Sequence, residues 1–550
     1  MNTPFLSVRL YAFLFALLGL VYVSGLFVPL IDNDSAHHAN IALRMYLTGN
    51  YVDLYDNTQD YLDKPHLFFW LCAFSYKVFG VTTFAYKFPS FLFTILGTYS
   101  VYRLGKSLYN KEVGRLASLM IASAFAYVLA NNDVRMDTIL TACIALAAWQ
   151  LVEFVDHKKL LNVAGASAGL ALGFCTKGLI AVFTPALAVF FYILYKKDWR
   201  VLFNWRWSVL FVLFGVLIFP VLYCYYLQFN LHPEKIVRGK DHINGVQFIL
   251  FGQSIERFNG GMGDVGKNNY LFFFHSFSWA FAPWSVLAMI AFIARIKNLI
   301  HRREEWLTTG TFTVLLVLIS LSEFKLPHYL NITFPVASLM AASFILTKQT
   351  QPKWIKIIFR LQLVLCVFLL LLSAVVNAWI FPVKSGWVIA GMILLLALVF
   401  YFARGNQYNK LQKAVTVSVS TMVFLFFLLN TSFYPRLLTY QGGNELAFVV
   451  RKKINPASVY FEKNSYSPSF IFYTASLRKP FSDSLFTPGK NIWLFTELKF
   501  LPGIEDNYLL GKKYEATRYW ISRLSLKFLN PATRAKQCTK MLLVELKGRK

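Results

Sequence analysis

The sequence predicts an all-α polytopic membrane protein that carries a small C-terminal α/β domain. Composition is the first reason, because 57% of the 550 residues are hydrophobic and 15% are charged, whereas about a quarter of the residues of a soluble protein are charged. The second reason is a series of apolar runs of about 20 residues, the length that crosses the hydrocarbon core of a bilayer. The third is a change to turn-rich, strand-like sequence after residue 432.

We predict about thirteen membrane-spanning helices from the pattern of hydropathy. The first apolar run is too long for the core of a signal peptide and lacks a small-residue cleavage site, so we expect a retained span. Residues 65–80 are apolar but short, and we expect a helix that lies at the membrane interface there. The predicted spans cover roughly residues 9–31, 83–104, 113–130, 138–156, 161–175, 179–195, 208–227, 271–294, 308–322, 330–347, 357–379, 387–403 and 412–432.

The net charge of +28 comes from 55 basic and 27 acidic residues. In a soluble chain this excess would suggest nucleic acid as a partner, but here the basic residues cluster in alternate short connections between apolar runs. That arrangement is typical of the positive-inside rule, so we expect no nucleic acid partner. The connections assigned to the cytoplasm hold Lys106, Lys111, Arg115, Lys158, Lys159, Lys196, Lys197, Arg200, Arg295, Lys297, Arg302, Arg303, Lys348, Lys353, Lys356, Arg404, Lys410 and Lys413.

The remaining connections are then external, and they contain the unusual polar motifs. A cytoplasmic N-terminus and an odd number of spans also place residues 433–550 outside. We therefore divide the chain into a transmembrane domain, residues 1–432, and a soluble extracytoplasmic domain, residues 433–550, which is within the usual size range of one domain. The transmembrane domain includes a first external loop, residues 32–82, and a long external loop, residues 228–270.

The first external loop is rich in ionisable residues although it lies beside hydrocarbon. Such groups are costly to leave unpaired at a membrane edge and usually line a polar cavity. Asp34 follows the first span and opens a helical pattern, so it is a candidate general base; the alternative is an N-cap of that helix. Asp32 is expected to be solvated. The other candidate cavity residues are Asp63, Lys64, His37, His66, Arg135, Asp137, Lys177, Arg257, Lys325, His328 and Tyr329.

Lys64 precedes Pro65 at the start of the apolar stretch, where the positive end of a helix favours an anion such as phosphate. The alternative is a lysine that extends to the lipid headgroups. Other roles are possible for the remaining candidates. Arg135 and Asp137 could pair with each other, and Lys177 could lie in a simple turn between two spans. Interfacial anchoring is the alternative for Lys325, His328 and Tyr329. Taken together, cations and carboxylates on a face where few cations are expected suggest a phosphate-bearing, lipid-linked substrate.

These motifs resemble those of a known family. Asp34, then M-Y-L-T-G-N-Y (45–51) and Asp63-Lys64-Pro65, are similar to the first external loop of polyprenol-phosphate-sugar-dependent glycosyltransferases of the GT-C fold. That group includes the bacterial lipid A aminoarabinose transferase and the protein O-mannosyltransferases. R-M-D (135–137), C-T-K-G-L (175–179) and K-L-P-H-Y-L (325–330) follow in the family's order. The chain departs from the pattern at Ser35, Asp63, His66 and Gln253-Ser254.

The resemblance implies a membrane enzyme that moves a single sugar, with inversion, from a polyprenyl-phosphate donor to a hydroxyl or phosphate at the external face. It implies Asp34 as the base, and Lys64 and Tyr329 as contacts of the lipid phosphate; Arg257 matches a basic residue of the long loop more loosely, and Lys325 lies in the same motif as Tyr329. The expected acceptor is a lipid, a glycan or a protein, and the expected location is the inner membrane of the cell envelope. No cofactor is expected to be required, with weak assistance by a divalent cation left open.

Two other interpretations stay open at this point. A transporter or flippase of a lipid-linked sugar would carry its charged residues near the middle of the membrane, whereas those of this chain lie at one face. A ligase that moves whole oligosaccharides would share the external site and differ in the size of its donor. The six cysteines show neither a disulfide framework nor zinc-ligand spacing.

Overall fold

The computed structural model describes residues 4–32, 34–258, 269–299, 304–485 and 492–550. Residues 259–268 of the predicted long loop, and the predicted cytoplasmic residues Arg302 and Arg303, lie outside the described ranges. The helices of the first half are α1 (Val8–Gly25), α2 (Asp34–Thr48), α3 (Leu67–Phe79), α4 (Thr83–Leu108), α5 (Lys111–Ser123), α6 (Phe125–Asn132), α7 (Asp137–His157), α8 (Leu160–Lys177) and α9 (Ile180–Lys196).

The second half of the membrane region contains further long apolar helices and, in the long connection after α10, two short ones. Its helices are α10 (Arg206–Tyr225), α11 (Gly245–Gln247), α12 (Gln253–Phe258), α13 (Phe272–Ala280), α14 (Ser285–Leu299), α15 (Trp306–Leu321), α16 (Phe334–Lys348), α17 (Pro352–Val375), α18 (Gly386–Arg404) and α19 (Lys410–Leu428).

The polytopic helical fold is confirmed. Within the described ranges, eight helices are long and apolar enough to cross a membrane, or nine if the bent pair α5 and α6 forms one span. Each of the thirteen segments predicted from hydropathy is helical, although residues 271–294 divide between α13 and α14. Helices α9 and α15 are apolar but shorter than 18 residues, so the count of thirteen stays a prediction.

Small residues let the central helices pack closely. A Cβ atom added to Gly97 of α4 would lie 3.0 Å from the Cα atom of Ala142 in α7, and one added to Gly169 of α8 would lie 2.8 Å from the backbone nitrogen of Ala147. Close approach through small residues is the usual way in which helices associate in lipid. This packing brings the start of α7 beside the end of α8, where two charged side chains meet.

The first external loop folds against the membrane helices. Helix α2 packs on α3, which confirms the predicted helix at residues 65–80, and a short hairpin, β1 (Tyr55–Asp56) with β2 (Gln59–Asp60), lies between them. Buried residues such as Ala39, Phe69 and Tyr86 belong to one hydrophobic cluster that also includes residues of the C-terminal region. The loop therefore has a fixed position beside the bundle.

The C-terminal region contains a four-stranded mixed sheet in the order β3-β4-β6-β5. Strands β3 and β4 are parallel, and the β4–β6 and β5–β6 pairs are antiparallel. Its elements are α20 (Tyr434–Leu437), α21 (Gly443–Lys453), β3 (Val459–Phe461), α22 (Pro468–Thr474), β4 (Ile492–Glu497), α23 (Leu501–Asn507), β5 (Tyr508–Arg518), α24 (Leu526–Leu529), α25 (Pro531–Arg534) and β6 (Thr539–Arg549).

Asp32 joins this region to the first loop, and the expectation that it is solvated is wrong. Its carboxylate accepts a hydrogen bond from the backbone N–H of Ser469 at 2.7 Å and one from the hydroxyl of Ser467 at 3.1 Å. Its own N–H donates to Oε1 of Gln441 at 2.6 Å. These partners lie more than 400 residues away in the chain, which no local pattern reveals. Burial raises the pKa of Asp32 above its ordinary value, and the hydrogen bonds from Ser469 and Ser467 oppose that rise.

Candidate active site

Asp34 lies at the first residue of α2 and is paired with Arg135. Nη1 of Arg135 donates to Oδ2 of Asp34 at 2.9 Å, and Nε of the same guanidinium donates to Oδ2 of Asp133 at 2.7 Å. Arg135 therefore bridges two carboxylates and does not pair with Asp137, in contrast to the alternative considered from sequence. The Asp34 side chain remains 40% exposed, so one face of its carboxylate is open to a second molecule.

A second charged pair is buried where α7 begins and α8 ends. Nζ of Lys177 donates to Oδ1 of Asp137 at 2.6 Å, and the Asp137 side chain is 1% exposed. Nε2 of His328 lies 3.8 Å from Oδ2 of Asp137, and the ammonium of Lys177 lies 4.9 Å from the ring centroid of Tyr329. Lys177 is thus an ion-pair partner at a helix end, which excludes the alternative of a bare turn.

Lys64 belongs to the same electrostatic neighbourhood. Burial lowers the pKa of Lys64 well below its ordinary value. The positive charges of Arg257 and Lys177 lower this pKa further, while the carboxylates of Asp137 and Asp34 raise it. Cations held close together in this way are stabilised by a bound anion, since a negative charge between them reduces their mutual repulsion.

A cavity of about 660 Å³ adjoins these charges. It lies between α7, α9, α12 and α15, and most of its wall is apolar, from side chains such as Leu140, Ile180 and Leu318. Asp137, Lys177, Arg257, Tyr329 and Gln253 also line it. The cavity thus combines an apolar wall with a charged group of side chains, a combination that suits an amphipathic molecule with an anionic head.

Arg257 contributes an unsatisfied donor to this cavity. Among the described residues, no hydrogen-bond partner lies within reach of its buried Nε atom. The carbonyl oxygen of Arg257 accepts a hydrogen bond from the Ser322 hydroxyl at 3.0 Å, which joins α12 to the end of α15. A buried guanidinium N–H without a partner is costly, so this donor is available for a ligand that rearranges the side chain.

The other residues proposed from sequence lie around this centre. Asp63 forms an ion pair with Arg238, and Gln253 donates to the carbonyl oxygen of Asp63. His37 lies 3.5 Å from the carboxylate of Asp56. Lys325 is buried, with its ammonium 5.8 Å from the ring centroid of Tyr270.

His66 is placed differently from the cavity residues. Its Nε2 atom lies 2.8 Å from the carbonyl oxygen of Val52, and its ring contacts those of Trp70 and Tyr225. Burial lowers the pKa of His66 to about 4. The imidazole is therefore a neutral part of the packing of the first loop, and the structure does not bring it to the charged pairs.

Two contributors were not predicted from the sequence. Asp133 lies two residues before Arg135 of the R-M-D motif (135–137), and this spacing was the available signal. Arg238 gave no such signal, because its partner Asp63 is distant in the chain. Within the described ranges, no group of three or more His, Cys, Asp or Glu side chains is arranged to hold a metal ion, and the independence from a cofactor stays a prediction.

The fold, a bundle of apolar helices followed by a four-stranded sheet, is that of a polytopic membrane protein, and known proteins resemble it in sequence and in fold. A family described as dolichyl-phosphate-mannose-protein mannosyltransferase matches residues 63–224. An undecaprenyl phosphate-aminoarabinose arabinosyl transferase of Proteus mirabilis is 26% identical over 340 residues, which are 59% of this chain and 58% of that protein. An uncharacterised protein of Aquifex aeolicus is 22% identical over 423 residues, which are 76% of this chain and 77% of that protein.

The crystal structure of ArnT from Cupriavidus metallidurans bound to undecaprenyl phosphate has the same fold. It superposes with a TM-score of 0.73 and 16% sequence identity over 98% of both chains. The resemblance to polyprenyl-phosphate-sugar glycosyltransferases of the GT-C fold is thereby confirmed. The chain spans little more than half the length of the named transferases it matches, 58% in the case of the protein from Proteus mirabilis.

Proposed function

We propose that this protein is an integral membrane glycosyltransferase that moves a single sugar from a polyprenyl-phosphate donor to a hydroxyl or phosphate of an acceptor, with inversion. The observation that carries the proposal is the cavity, since its apolar wall meets Lys177 and Arg257, and the charge of Lys177 interacts with the partly exposed carboxylate of Asp34. The donor supplies the matching parts, which are a hydrocarbon chain, a phosphate and a sugar. The relatives named for undecaprenyl phosphate support this choice of donor.

The apolar wall is suited to the first isoprene units of the lipid. Leu140, Ile180 and Leu318 offer it a dry surface, and burial of apolar surface contributes about 25 cal/mol per Å². The phosphate then lies toward Arg257 and Lys64, with Tyr329 as a further contact. Charge-assisted hydrogen bonds from such cations are about twice as strong as neutral ones, and the unpaired Nε atom of Arg257 gains a partner.

The reaction follows from these positions. The carboxylate of Asp34 takes the proton of the acceptor hydroxyl, and the acceptor oxygen forms a bond to the anomeric carbon as the bond from that carbon to the phosphate oxygen breaks. The polyprenyl phosphate leaves as an anion, and Lys64 and Arg257 neutralise the charge that develops on it. Attack from the face opposite the phosphate inverts the configuration.

Arg135 has a positioning role in this proposal. Its guanidinium donates to Asp34 and Asp133 together, so it fixes the direction in which the Asp34 carboxylate points. A correctly placed general base contributes about 10²–10⁴-fold to a rate. The buried pair of Asp137 and Lys177 holds the ends of α7 and α8 in place beside it.

The finer assignments belong to the same proposal. We infer thirteen spans and a cytoplasmic N-terminus, a topology in which the cavity and the C-terminal domain lie on the external side of the inner membrane. The acceptor is a lipid, a glycan or a protein, and no cofactor is required, with assistance by a divalent cation left open. The charges gather at one end of the bundle, next to Asp34, and this arrangement supports transfer at a membrane face over transport through the membrane.

The test compares the glycolipids and glycoproteins of membranes with and without the protein by mass spectrometry. Wild-type protein is expected to add one sugar mass to an acceptor, and Asp34→Asn is expected to be inserted and inactive. Asp53→Asn is the matched control, since this carboxylate lies in the same loop and accepts a hydrogen bond from Asn50 at 2.9 Å. Addition of a whole oligosaccharide would favour a ligase, and movement of the lipid-linked sugar across the membrane without any product would contradict the proposal.

A further inference from the structure

A patch on the C-terminal domain combines exposed apolar and basic side chains. It lies in the connection between β5 and β6, and we call it the tail patch: Trp520, Arg523, Leu524, Leu526 and Lys527. Trp520 is 54% exposed, Leu524 is 44% exposed and Leu526 is 85% exposed. Large apolar side chains clustered within seven residues at a surface are a mark of an interaction site.

The base of this connection is attached to the end of a membrane helix. Nη2 of Arg534 donates to the carbonyl oxygen of Ile380 at 2.7 Å, and its guanidinium carbon lies 4.0 Å from the ring centroid of Phe381. Ile380 is the last residue of a candidate span, and the next span starts at Gly386. Arg534 therefore fastens the connection to the turn between two spans.

Tryptophan residues mark the membrane boundary at this turn. Trp379 is the next-to-last residue of the span that ends at Ile380, and Trp387 is the second residue of the span that starts at Gly386. Both tryptophan side chains are exposed. Tryptophan is enriched where a bilayer meets water. The tail patch is part of a segment attached between these two residues, so it lies near the level of the lipid headgroups.

The opposite side of the segment is already occupied by protein. Phe528 is buried, its ring stacks on that of Tyr519 at 3.7 Å, and it contacts the ring of Tyr440 at 5.2 Å. Ile521 and Phe528 belong to the hydrophobic cluster of the membrane helices. The inward side chains are thus used in packing, whereas those of the tail patch point away from the domain.

The charge of the segment identifies its partner. Residues 519–538 contain four basic residues, Arg523, Lys527, Arg534 and Lys536, and no acidic residue. Basic side chains beside tryptophan and leucine bind the surface of a membrane that contains anionic lipids. The guanidinium carbon of Arg523 also lies 5.4 Å from the ring centroid of Trp520, so the charge and the ring face the same part of the surface.

We propose that the tail patch inserts into the headgroup region of the adjacent leaflet and binds anionic lipid there. The C-terminal domain then contacts the bilayer directly, in addition to its contacts with α2 of the protein. This anchoring is independent of the reaction that the protein catalyses.

The experiment places an environment-sensitive fluorophore on the full chain in lipid nanodiscs. Leu526→Cys is labelled in a Cys538→Ser background, because the other five cysteines are buried. Leu509→Cys is the matched control: Leu509 is 52% exposed and lies on the same strand as Arg518, nine residues away, or about 30 Å along that strand. Phosphatidylcholine carrying a nitroxide near the headgroup serves as the quencher, in discs with and without 30% phosphatidylglycerol.

The label at residue 526 is expected to emit at shorter wavelength than the label at residue 509 and to be quenched at least threefold more strongly. Phosphatidylglycerol should increase this quenching, and Arg523→Gln with Lys527→Gln should remove the increase. Water-like emission and equal quenching at both positions would overturn the insertion. Quenching that is the same in the two lipid mixtures would overturn the assignment to anionic lipid.

Discussion

Nη1 of Arg135 lies 2.9 Å from Oδ2 of Asp34, in a pair that joins the start of α2 to the turn before α7. The same guanidinium is held from its other side by Asp133 at 2.7 Å, and the charge of Asp133 raises the pKa of Arg135 above its ordinary value. The arrangement fixes the carboxylate of Asp34 while leaving part of it exposed. A base for an incoming acceptor needs both properties.

Replacement of Arg135 tests this positioning role. We expect Arg135→Gln to lower kcat by about 10²-fold with little change in the KM for the donor, because misplacing a catalytic group by about 1 Å has an effect of this size. The measurement is sugar transfer at varied donor concentration. Arg115→Gln, which breaks the ion pair with Glu112, is the control and should retain wild-type kcat. A change in KM alone would assign Arg135 to donor binding.

The buried pair of Asp137 and Lys177 should contribute to stability. Asp137→Asn leaves an unpaired ammonium in the bundle, and loss of one partner of a buried pair typically costs about 3–5 kcal/mol. We expect a clear drop in the temperature of unfolding in detergent. Glu515→Gln, which breaks the exposed pair with Lys540, should cost less than about 1 kcal/mol.

A double variant separates the charge effect from a packing effect at this pair. Asp137→Asn combined with Lys177→Met removes both charges, so it should recover a large part of the stability lost in the single variant. Equal destabilisation of the single and double variants would contradict the interpretation as a buried ion pair.

His66 predicts a dependence of stability on pH. Its pKa falls from 6.5 to about 4 on folding, so the unfolded chain binds the proton more tightly than the folded chain. The free energy of unfolding therefore has its full value above pH 6.5. It decreases by up to about 3 kcal/mol as the pH falls from 6.5 to about 4. Unfolding temperatures measured between pH 7.5 and 4.5 should fall less steeply in His66→Gln than in the wild type. Parallel curves would show that His66 does not contribute.

The hydrogen bonds of Asp32 predict how the C-terminal region is attached to the first loop. Asp32→Ala removes the acceptor for Ser467 and Ser469, and each buried donor left without a partner costs about 1–3 kcal/mol. We expect faster proteolysis after residue 433 and lower kcat, because Asp32 is two residues from Asp34. Asp32→Asn keeps one acceptor oxygen and should be affected less. Identical cleavage rates for Asp32→Ala and the wild type would exclude this attachment.

The sequence was sufficient for the parts of the fold that local pattern determines. Among the described residues, apolar runs identified the long helices of the membrane region, and the strand-like sequence after residue 432 contains β3 (Val459–Phe461) and β4 (Ile492–Glu497). The ends of α7 and α8 meet because two consecutive helices form a hairpin, so Asp137 and Lys177 were foreseeable as neighbours. The ion pair itself was not foreseeable, because Arg135 lies between Asp133 and Asp137 in the sequence and either carboxylate could have been its partner.

Contacts between distant parts of the chain could not be predicted in this way. The hydrogen bonds of Asp32 with Ser469 and the ion pair of Asp63 with Arg238 depend on how the first loop packs against other segments. His66 shows the opposite case, since its polar side chain looked like a cavity residue and is buried against Val52. Residue type alone does not distinguish a ligand from a side chain satisfied by the backbone.

In the proposed reaction, Asp34 acts on an acceptor beside a donor bound in the cavity. The most direct measurement is transfer of a labelled sugar from a purified polyprenyl-phosphate donor by the protein in proteoliposomes, with wild type compared to Asp34→Asn. We predict transfer by the wild type, a loss of at least 10²-fold in the variant, and unchanged binding of polyprenyl phosphate by both proteins. Transfer by Asp34→Asn at the wild-type rate would exclude Asp34 as the base.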